Sequence, residues 1–407
     1  MIGVERQDSN PKEKDKYIDS KPQPPIFIIE VSHFSTVPIS LSLRPFQGIV
    51  KREVPRRSVK MAEYKTRSTS YEIDEGKAVE FYYDRGWTDG LPIVPPTEEK
   101  VGAMLAEVGL EPNAQIAFIE MRQAAVTAEK AAINAVMAGC RPEYMPVIVA
   151  TLEALADPIY GYHGPATSTG GAAVFMLING PITRELDINS GDNLFGPGWR
   201  ANATIGRAVR LIMRNVLATL PGTLDRSTIG HAGKYTFCFA EDEKGSPWPP
   251  LHVERGFQPE QSTVTVFAAL APHQVFNYLS NTGEGLLTCL CAHLRISSGV
   301  GSQPQYFLVF AGEHQAVFAR EGWSKEKIRQ YCFANTQTSH AELKRIQVMA
   351  GEVAPGDETR MKPLVVSPED FVIVAAGGKA GAFSAFIPGW SGKRASQSVT
   401  KEIRGRK

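Results

Sequence analysis

The sequence predicts an α/β fold of the mixed α+β kind, and three observations predict it. Helical and strand-like periodicities alternate from about residue 71 onward. The strand candidates run into polar loops rich in Gly and Asn, where α/β proteins place their sites. The chain has 407 residues, 43% hydrophobic and 21% charged, enough apolar material for a large core in one or two domains.

Taken in order, residues 1–70 read as an extension. The charged, Pro-containing segments "NPKEKDKYIDSKPQPP" and "KREVPRRSVK" flank one apolar patch, "IFIIEV". Such a composition favours disorder or a course over the surface of a neighbour. Residues 71–260 read as a helix-rich α/β region and 261–407 as a second α/β region. Helices are expected at Glu75 to Arg85, Thr97 to Val108, Thr127 to Ala138, Glu143 to Ala156, Asn202 to Leu220, Lys325 to Ala334 and Ala341 to Ala350. Strands are expected at "VFMLING", "YTFCFAE", "STVTVFAAL", "YFLVFAG" and "FVIVAAGG". Between the first two helices, the prolines of "RGWTDGLPIVPPTEE" remove donors and fix φ, and Thr97 before two glutamates has the form of a cap. Asp89, before a glycine, suits a turn that presents a carboxylate.

Composition excludes several function classes. The formal charge is +1, and no block of Lys and Arg stands outside the extension, so a nucleic-acid partner is not expected. No apolar run approaches the roughly 18 residues of a membrane span, and the first residues lack the apolar stretch of a secretion signal. Five scattered cysteines make a poor disulfide framework and fit a reducing cytoplasm.

The most loop-rich part of the chain is "YGYHGPATSTGGAAVFMLING" followed by "INSGDNLFGPGWRANATIGR". Glycines let backbone N–H groups approach a ligand, and short polar side chains supply oriented hydrogen bonds. Ser168, Thr169, Gly170, Gly171, Asn189, Ser190 and Asn193 are therefore expected to bind substrate. Arg200 and Asn202, at the start of the clearest helix, are expected to hold its anionic group. His163 and Asp89 are the candidate acid and base, with His231 and His252 behind them. Cys140 is the candidate nucleophile of a covalent route. Lys379 and Ser384, in "FVIVAAGGKAGAFSAFIPGW", are placed to share an anion with glycine amides. "STGGAA" lacks the Gly-Lys-Ser/Thr ending of a phosphate loop, and no Gly-x-Gly-x-x-Gly opens a helix, so no nucleotide cofactor is expected and the metal is left unassigned. In "LLTCLCAHLR", a strand would put Cys289, Cys291 and His293 on one face, as in a small metal or redox cluster. Against each of these stand ordinary structural roles: capped helices with solvated arginines, tight turns, buried thiols and packed strands.

Six stretches together resemble a known family: "GWTDGLPIVPPT", "AINAVMAGCRPEYMPV", "FGPGWRANATIGRAVRL", "GKYTFCFAEDEKGSPWPPLHVERG", "EGWSKEKIRQY" and "VAAGGKAGAFSAFIPGW". They are similar to a bacterial family associated with UGSC-motif (seleno)proteins, in which U is selenocysteine. The resemblance spans about residues 75 to 400. It implies a bacterial-type enzyme or enzyme subunit, with a UGSC-like C-terminal region and a hetero-oligomeric setting. The chain has no Cys-Gly-Ser-Cys, so the motif's own redox chemistry is not expected.

The function that follows is a cytoplasmic enzyme acting on a small polar or anionic metabolite, a hydrolase or lyase without a nucleotide cofactor, as a homo- or hetero-oligomer. The alternatives are a subunit that completes its centre with a partner protein, and a metal- or thiol-dependent hydratase or redox protein.

Overall fold

The computed structural model describes residues 28–31, 66–296, 303–390 and 396–405. Most of the expected extension, residues 1–27 and 32–65, lies outside the described residues. Within it, β1 (Ile28–Val31) pairs in parallel with β2 (Ser70–Ile73). Next come α1 (Ala78–Asp84) and α2 (Glu98–Val108), and Thr97 caps α2 by accepting from the Lys100 N–H. The antiparallel pair β3 (Gln115–Ile119) and β4 (Ala124–Thr127) leads into α3 (Ala128–Ala138), capped in the same way by Thr127. Gly139, at φ 90°, ends α3 in the left-handed region that only glycine enters freely. After it comes α4 (Met145–Leu155).

The rest of the chain repeats one plan. The first pass runs α5 (His163–Thr167), β5 (Ala173–Asn179), α6 (Ile182–Glu185), α7 (Arg200–Asn215), β6 (Cys238–Ala240), α8 (Leu251–Glu254), β7 (Thr263–Ala269) and β8 (His273–Phe276). The second runs α9 (Gly283–Arg295), β9 (Tyr306–Phe310), α10 (Gly312–Arg320), α11 (Lys325–Asn335), β10 (Thr338–Ser339), α12 (His340–Arg345), β11 (Met361–Lys362), β12 (Phe371–Ala375), β13 (Phe383–Pro388) and β14 (Val399–Glu402). One four-stranded sheet has the order β14-β7-β5-β6 and the other β8-β13-β9-β12. In each, a central strand lies parallel to one neighbour and antiparallel to the other, and the edge strand beyond is antiparallel.

The last strands are exchanged. β8 leaves β7 and joins β13; β14 leaves β13 and joins β7. At the crossing, Ala269 faces Gly389, the Leu270 N–H donates to Pro388 O (2.9 Å), and the Trp390 N–H donates to Ala268 O (2.8 Å). These reciprocal bonds are what a local two-fold relation between the halves requires. Gly389 has no room for a side chain: a Cβ there would stand 2.8 Å from the Phe267 ring.

The sheets lie face to face between helical layers. Alternation along the strands sends Phe175, Leu177 and Phe267 against Phe307, Val309 and Ile387 in the inter-sheet core. The Phe307 ring centroid is 4.6 Å from that of Phe175 and 4.9 Å from that of Phe267. Each fully buried Phe contributes about 1.5–3 kcal/mol. The opposite face of the first sheet, with Met176, Ile178 and Val266, packs beneath α4 and α7. That of the second, with Leu308, Phe310 and Ile373, packs with the apolar faces of α9, α10 and α11.

The mixed α/β class and the five expected strands are present. "LLTCLCAHLR" is helix, not strand: Leu286, Leu287, Leu290, Cys291 and Leu294 are buried at helical spacing, and Thr282 caps the start. "FSAFIP" is the strand β13, and the chain reverses in the Gly-rich loop between it and β12. α7 stops at Asn215 and α12 at Arg345, short of the expected ends. The first sheet spans residue 260, with β5 and β6 before it and β7 and β14 after.

Candidate functional site

The residues singled out in the sequence fall in several places rather than one. Asp89 is bound on both oxygens, since Arg207 Nε and Nη2 donate to Oδ2 and Oδ1 at 2.8 Å each. The same guanidinium reaches the carbonyls of Leu91 and Pro92. Trp87 beside it is buried among Tyr71, Phe81 and Tyr82. This carboxylate fastens the Trp-containing loop to α7.

Arg200 donates from Nε and Nη2 to the Gly139 carbonyl, closing the end of α3. Cys140, next to it, donates to Thr204 O at 3.2 Å, and burial pushes the thiol up to about 12. A thiol so held is a protonated packing group and a poor nucleophile. Asn202 does not cap α7, which begins at Arg200. Its amide instead grips the backbone of Asn189, accepting from N–H (2.8 Å) and donating to C=O (3.2 Å). Asn189 in turn donates to Asp192 O, Ser190 O accepts from the Gly377 N–H, and Asn193 donates to Pro197 O. The second Gly-rich loop is thus tied to α7 and to the β12–β13 loop.

Lys379 is exposed in the β12–β13 loop. Ser384 is buried on β13, its Oγ 2.6 Å from His314 Nδ1, which ties α10 to the sheet. Burial lowers the His314 pKa. His252 is fully buried in α8. His231 accepts the Gly233 N–H on Nδ1, leaving Nε2 to face Ala269 O at 3.3 Å. Cys289 and Cys291 are separated by the helix they share. Cys289 lies 3.9 Å from His293 Nδ1, whereas Cys291 is buried against Cys332 of α11. Among the described residues no three His, Cys, Asp or Glu side chains group to hold a metal ion.

The first Gly-rich loop does border a site. Ser168 Oγ accepts from the Gly170 N–H, Thr169 O accepts from the Thr228 N–H, and Gly171, at φ 75°, lies against Gly230, so that a Cβ there would stand 3.0 Å from the Gly230 Cα. His163, whose Nδ1 is buried with no partner among the described residues, opens α5. This loop, α5, the start of β5 and α7 border a small cleft that is partly open to solvent. Tyr160, Tyr162, Ala166, Val174 and Met213 are among its walls, and Arg210, Asp225 and Lys234 are its charges. Trp390, arriving from the crossing, packs on Gly164 and Gly170 beside it.

Asp225 organises the polar side. Arg210 Nη2 donates to Oδ2 at 2.6 Å, Lys234 Nζ to Oδ1 at 2.9 Å, and Ser227 Oγ to Oδ1 at 2.5 Å. Lys234 Nζ also lies 2.5 Å from Ser227 Oγ. Burial opposes ionisation of Asp225, but these donors outweigh it and hold the carboxyl far below the usual range. Lys234 is shifted downward, first by burial and then by Arg210, against the pull of Asp225. Apolar walls, few convergent polar groups and displaced pKa values are the marks of a binding or catalytic site.

Arg210 passes in the sequence as one of three solvated arginines on the polar face of α7. That face is not solvated: Arg207 takes Asp89, Arg210 takes Asp225 and Arg214 takes Gly86 O. The spacing Asp225-x-Ser227, seven residues before Lys234, matches no common motif, and only the fold brings it to Arg210.

Compared with known proteins, the chain matches no family model and no curated sequence. No helix among the described residues is long and apolar enough to cross a membrane.

Proposed function

We propose that the chain is an enzyme acting on a small anionic metabolite, a lyase in which Lys234 moves the proton and Arg210 holds the anion. The observation that carries this reading is the placement of Lys234 on the cleft wall, fixed by Asp225 and Ser227 and made easier to deprotonate by burial. A neutral Lys234 takes a proton from carbon, the C–H electrons form the new double bond, and the leaving group departs with its own pair. Arg210 stabilises the charge that develops on the substrate's oxyanion. Hydrolysis, with Ser227 attacking and Lys234 as its base, uses the same groups and is the alternative chemistry.

The test is proton exchange from candidate small carboxylates in deuterium oxide, followed by NMR. Lys234→Gln is expected to lower exchange about 100-fold or more, with activity in the parent rising with pH through the lowered Lys234 pKa. Retention of exchange in Ser227→Ala supports the lyase route. Loss of ester or amide hydrolysis in that variant, with no exchange in the parent, supports hydrolysis. Equal activity in Lys234→Gln and parent would overturn both.

One observation favours a second reading, that of a subunit completed by a partner protein. Phe276, Tyr278 and Leu279 are 63%, 62% and 99% exposed at and beyond the edge strand β8, next to Phe383. Clustered apolar exposure of this kind marks contact surfaces. Mass measurement by size exclusion and light scattering, with and without the products of neighbouring genes, separates a self-sufficient enzyme from such a subunit.

A further inference from the structure

We infer that the partner met at the exposed edge of β8 is a second copy of the chain, joined to the first by antiparallel pairing of β8 with β8 about a two-fold axis at Val275. The inference deepens the second reading above and rests on this edge being a contact surface.

The register of β8 shows which groups its free edge presents. The Asn277 N–H donates to Ala382 O (3.0 Å), and these two residues stand opposite each other in the pairing that sets Phe276 against Phe383. Bonded and non-bonded pairs alternate along an antiparallel ladder, so Val275 turns its N–H and C=O toward β13 while Gln274 and Phe276 turn theirs away. Among the described residues, the one partner found for these outward groups is Cys289 Sγ, 3.9 Å from Phe276 O. The corresponding edge of the first sheet is closed within the chain. On β14, Thr400 Oγ1 accepts from Arg255 Nη1 (2.6 Å), Lys401 pairs with Asp157 (2.7 Å), and Glu402 accepts from Gln261 Nε2 (2.9 Å). From His273 to Asn281 there is no Lys, Arg, Asp or Glu, the side chains that keep edge strands from pairing.

Self-pairing satisfies this edge and sets its own register. With the axis at Val275, Gln274 of each copy stands opposite Phe276 of the other, and each of these two pairs exchanges two N–H···O bonds. Pro272, the next residue on the outward side, has no N–H and stops the ladder there. No like charges meet across the axis. The apolar surface agrees in amount. Phe276, Tyr278 and Leu279, at 63%, 62% and 99% exposure, present on the order of 400 Å². A stable complex covers about 800 Å² per partner, so these three form the apolar centre and the exposed Gln274, Asn281 and Thr282 part of a polar rim. Phe383, its ring centroid 5.5 Å from that of Tyr278, backs the patch on the same face. Two four-stranded sheets then become one of eight strands, within the usual range.

Light scattering behind size exclusion tests this on the full-length chain, together with hydrogen exchange read at single amides. At micromolar concentration the parent is expected to run at twice the mass of the chain and to dissociate on dilution. Leu279→Lys and Phe276→Lys place charge beside the axis, and each should raise the dissociation constant about tenfold or more with circular dichroism unchanged. Leu279 is 99% exposed, so its replacement keeps the fold even where Phe276→Lys does not. The Gln274 and Phe276 amides should exchange slowly in the dimer and quickly in Leu279→Lys, while the Val275 amide stays protected in both. A chain that remains monomeric at high micromolar concentration, a dimer unaffected by Leu279→Lys, or fast exchange at Gln274 and Phe276 within a dimer would overturn the inference. A monomer that binds the product of a neighbouring gene, and loses it in Leu279→Lys, keeps β8 as a contact surface and overturns only its assignment to a second copy. A chain that binds neither removes both.

Discussion

Three side chains share the Asp225 carboxylate, and without its charge Arg210 and Lys234 would face each other. Asp225→Asn is therefore expected to cost about 3 kcal/mol at neutral pH, read from urea melts, because it breaks a buried pair and leaves the partners unmatched. Its carboxyl is held low in the folded state, so its contribution is complete above about pH 4 and is lost as pH falls toward the depressed value. The acid limb of the stability profile should be shallower in the variant. Glu241 runs the other way. It is buried, with Oε2 bound by Asn179 Nδ2 and the Leu251 N–H and Oε1 without a hydrogen bond at 3.9 Å from Lys325 Nζ, and burial raises its pKa against the pull of that lysine. The parent loses stability as pH rises above about 4 through that raised value, so Glu241→Gln should raise Tm at pH 8 and change it little at pH 4. Cys140 should resist iodoacetamide in the native state at pH 8. At this scale the sequence was informative for helix caps, because Thr97 and Thr127 act on the residues just after them. It was uninformative for Asp89, Arg200, Asn202 and Asp225, whose partners lie far along the chain or are chosen by packing.

Elements are held to one another mainly through α7, and each arginine of its polar face closes a different joint. The Arg207–Asp89 pair fixes the Trp-containing loop, with side chains 14% and 8% exposed, so screening by solvent is slight. Asp89→Asn should lower stability by about 3 kcal/mol in denaturant melts while specific activity per folded molecule is retained. Lost activity with unchanged stability would return Asp89 to the catalytic set. Periodicity revealed α7 well and α9 poorly, since a short apolar run with Cys-x-Cys satisfies strand and helix templates alike. Long buried strands such as β5 and β9 were legible because both faces are covered and the apolar run is continuous. "HQVF" and "VTKE" were not, being four-residue edge strands whose exposed positions read as loop.

At the scale of the whole molecule, two similar sheets are locked by exchanging their last strands. The cleft belongs to the first half, yet Trp390 beside it comes from the second, so the halves meet where the proposed site lies. A Cβ at Gly164 would stand 2.8 Å from the Trp390 ring, and Gly164→Ala should cost about 1–3 kcal/mol by overpacking. Ending the chain at Trp390 should expose β7, which loses β14, more than β13, and hydrogen exchange resolves the two. No sequence pattern announced the repeat, because the halves share alternation and topology while their loops and charged residues differ. The exchange also governs how the protein comes into being on the ribosome. β7 can pair with β5 early, but its other edge stays open until β14, which follows the whole second sheet in the chain, emerges from the exit tunnel. For that interval the nascent first sheet carries an unpaired edge, and its maturation is timed by synthesis of the second half rather than by its own place in the message.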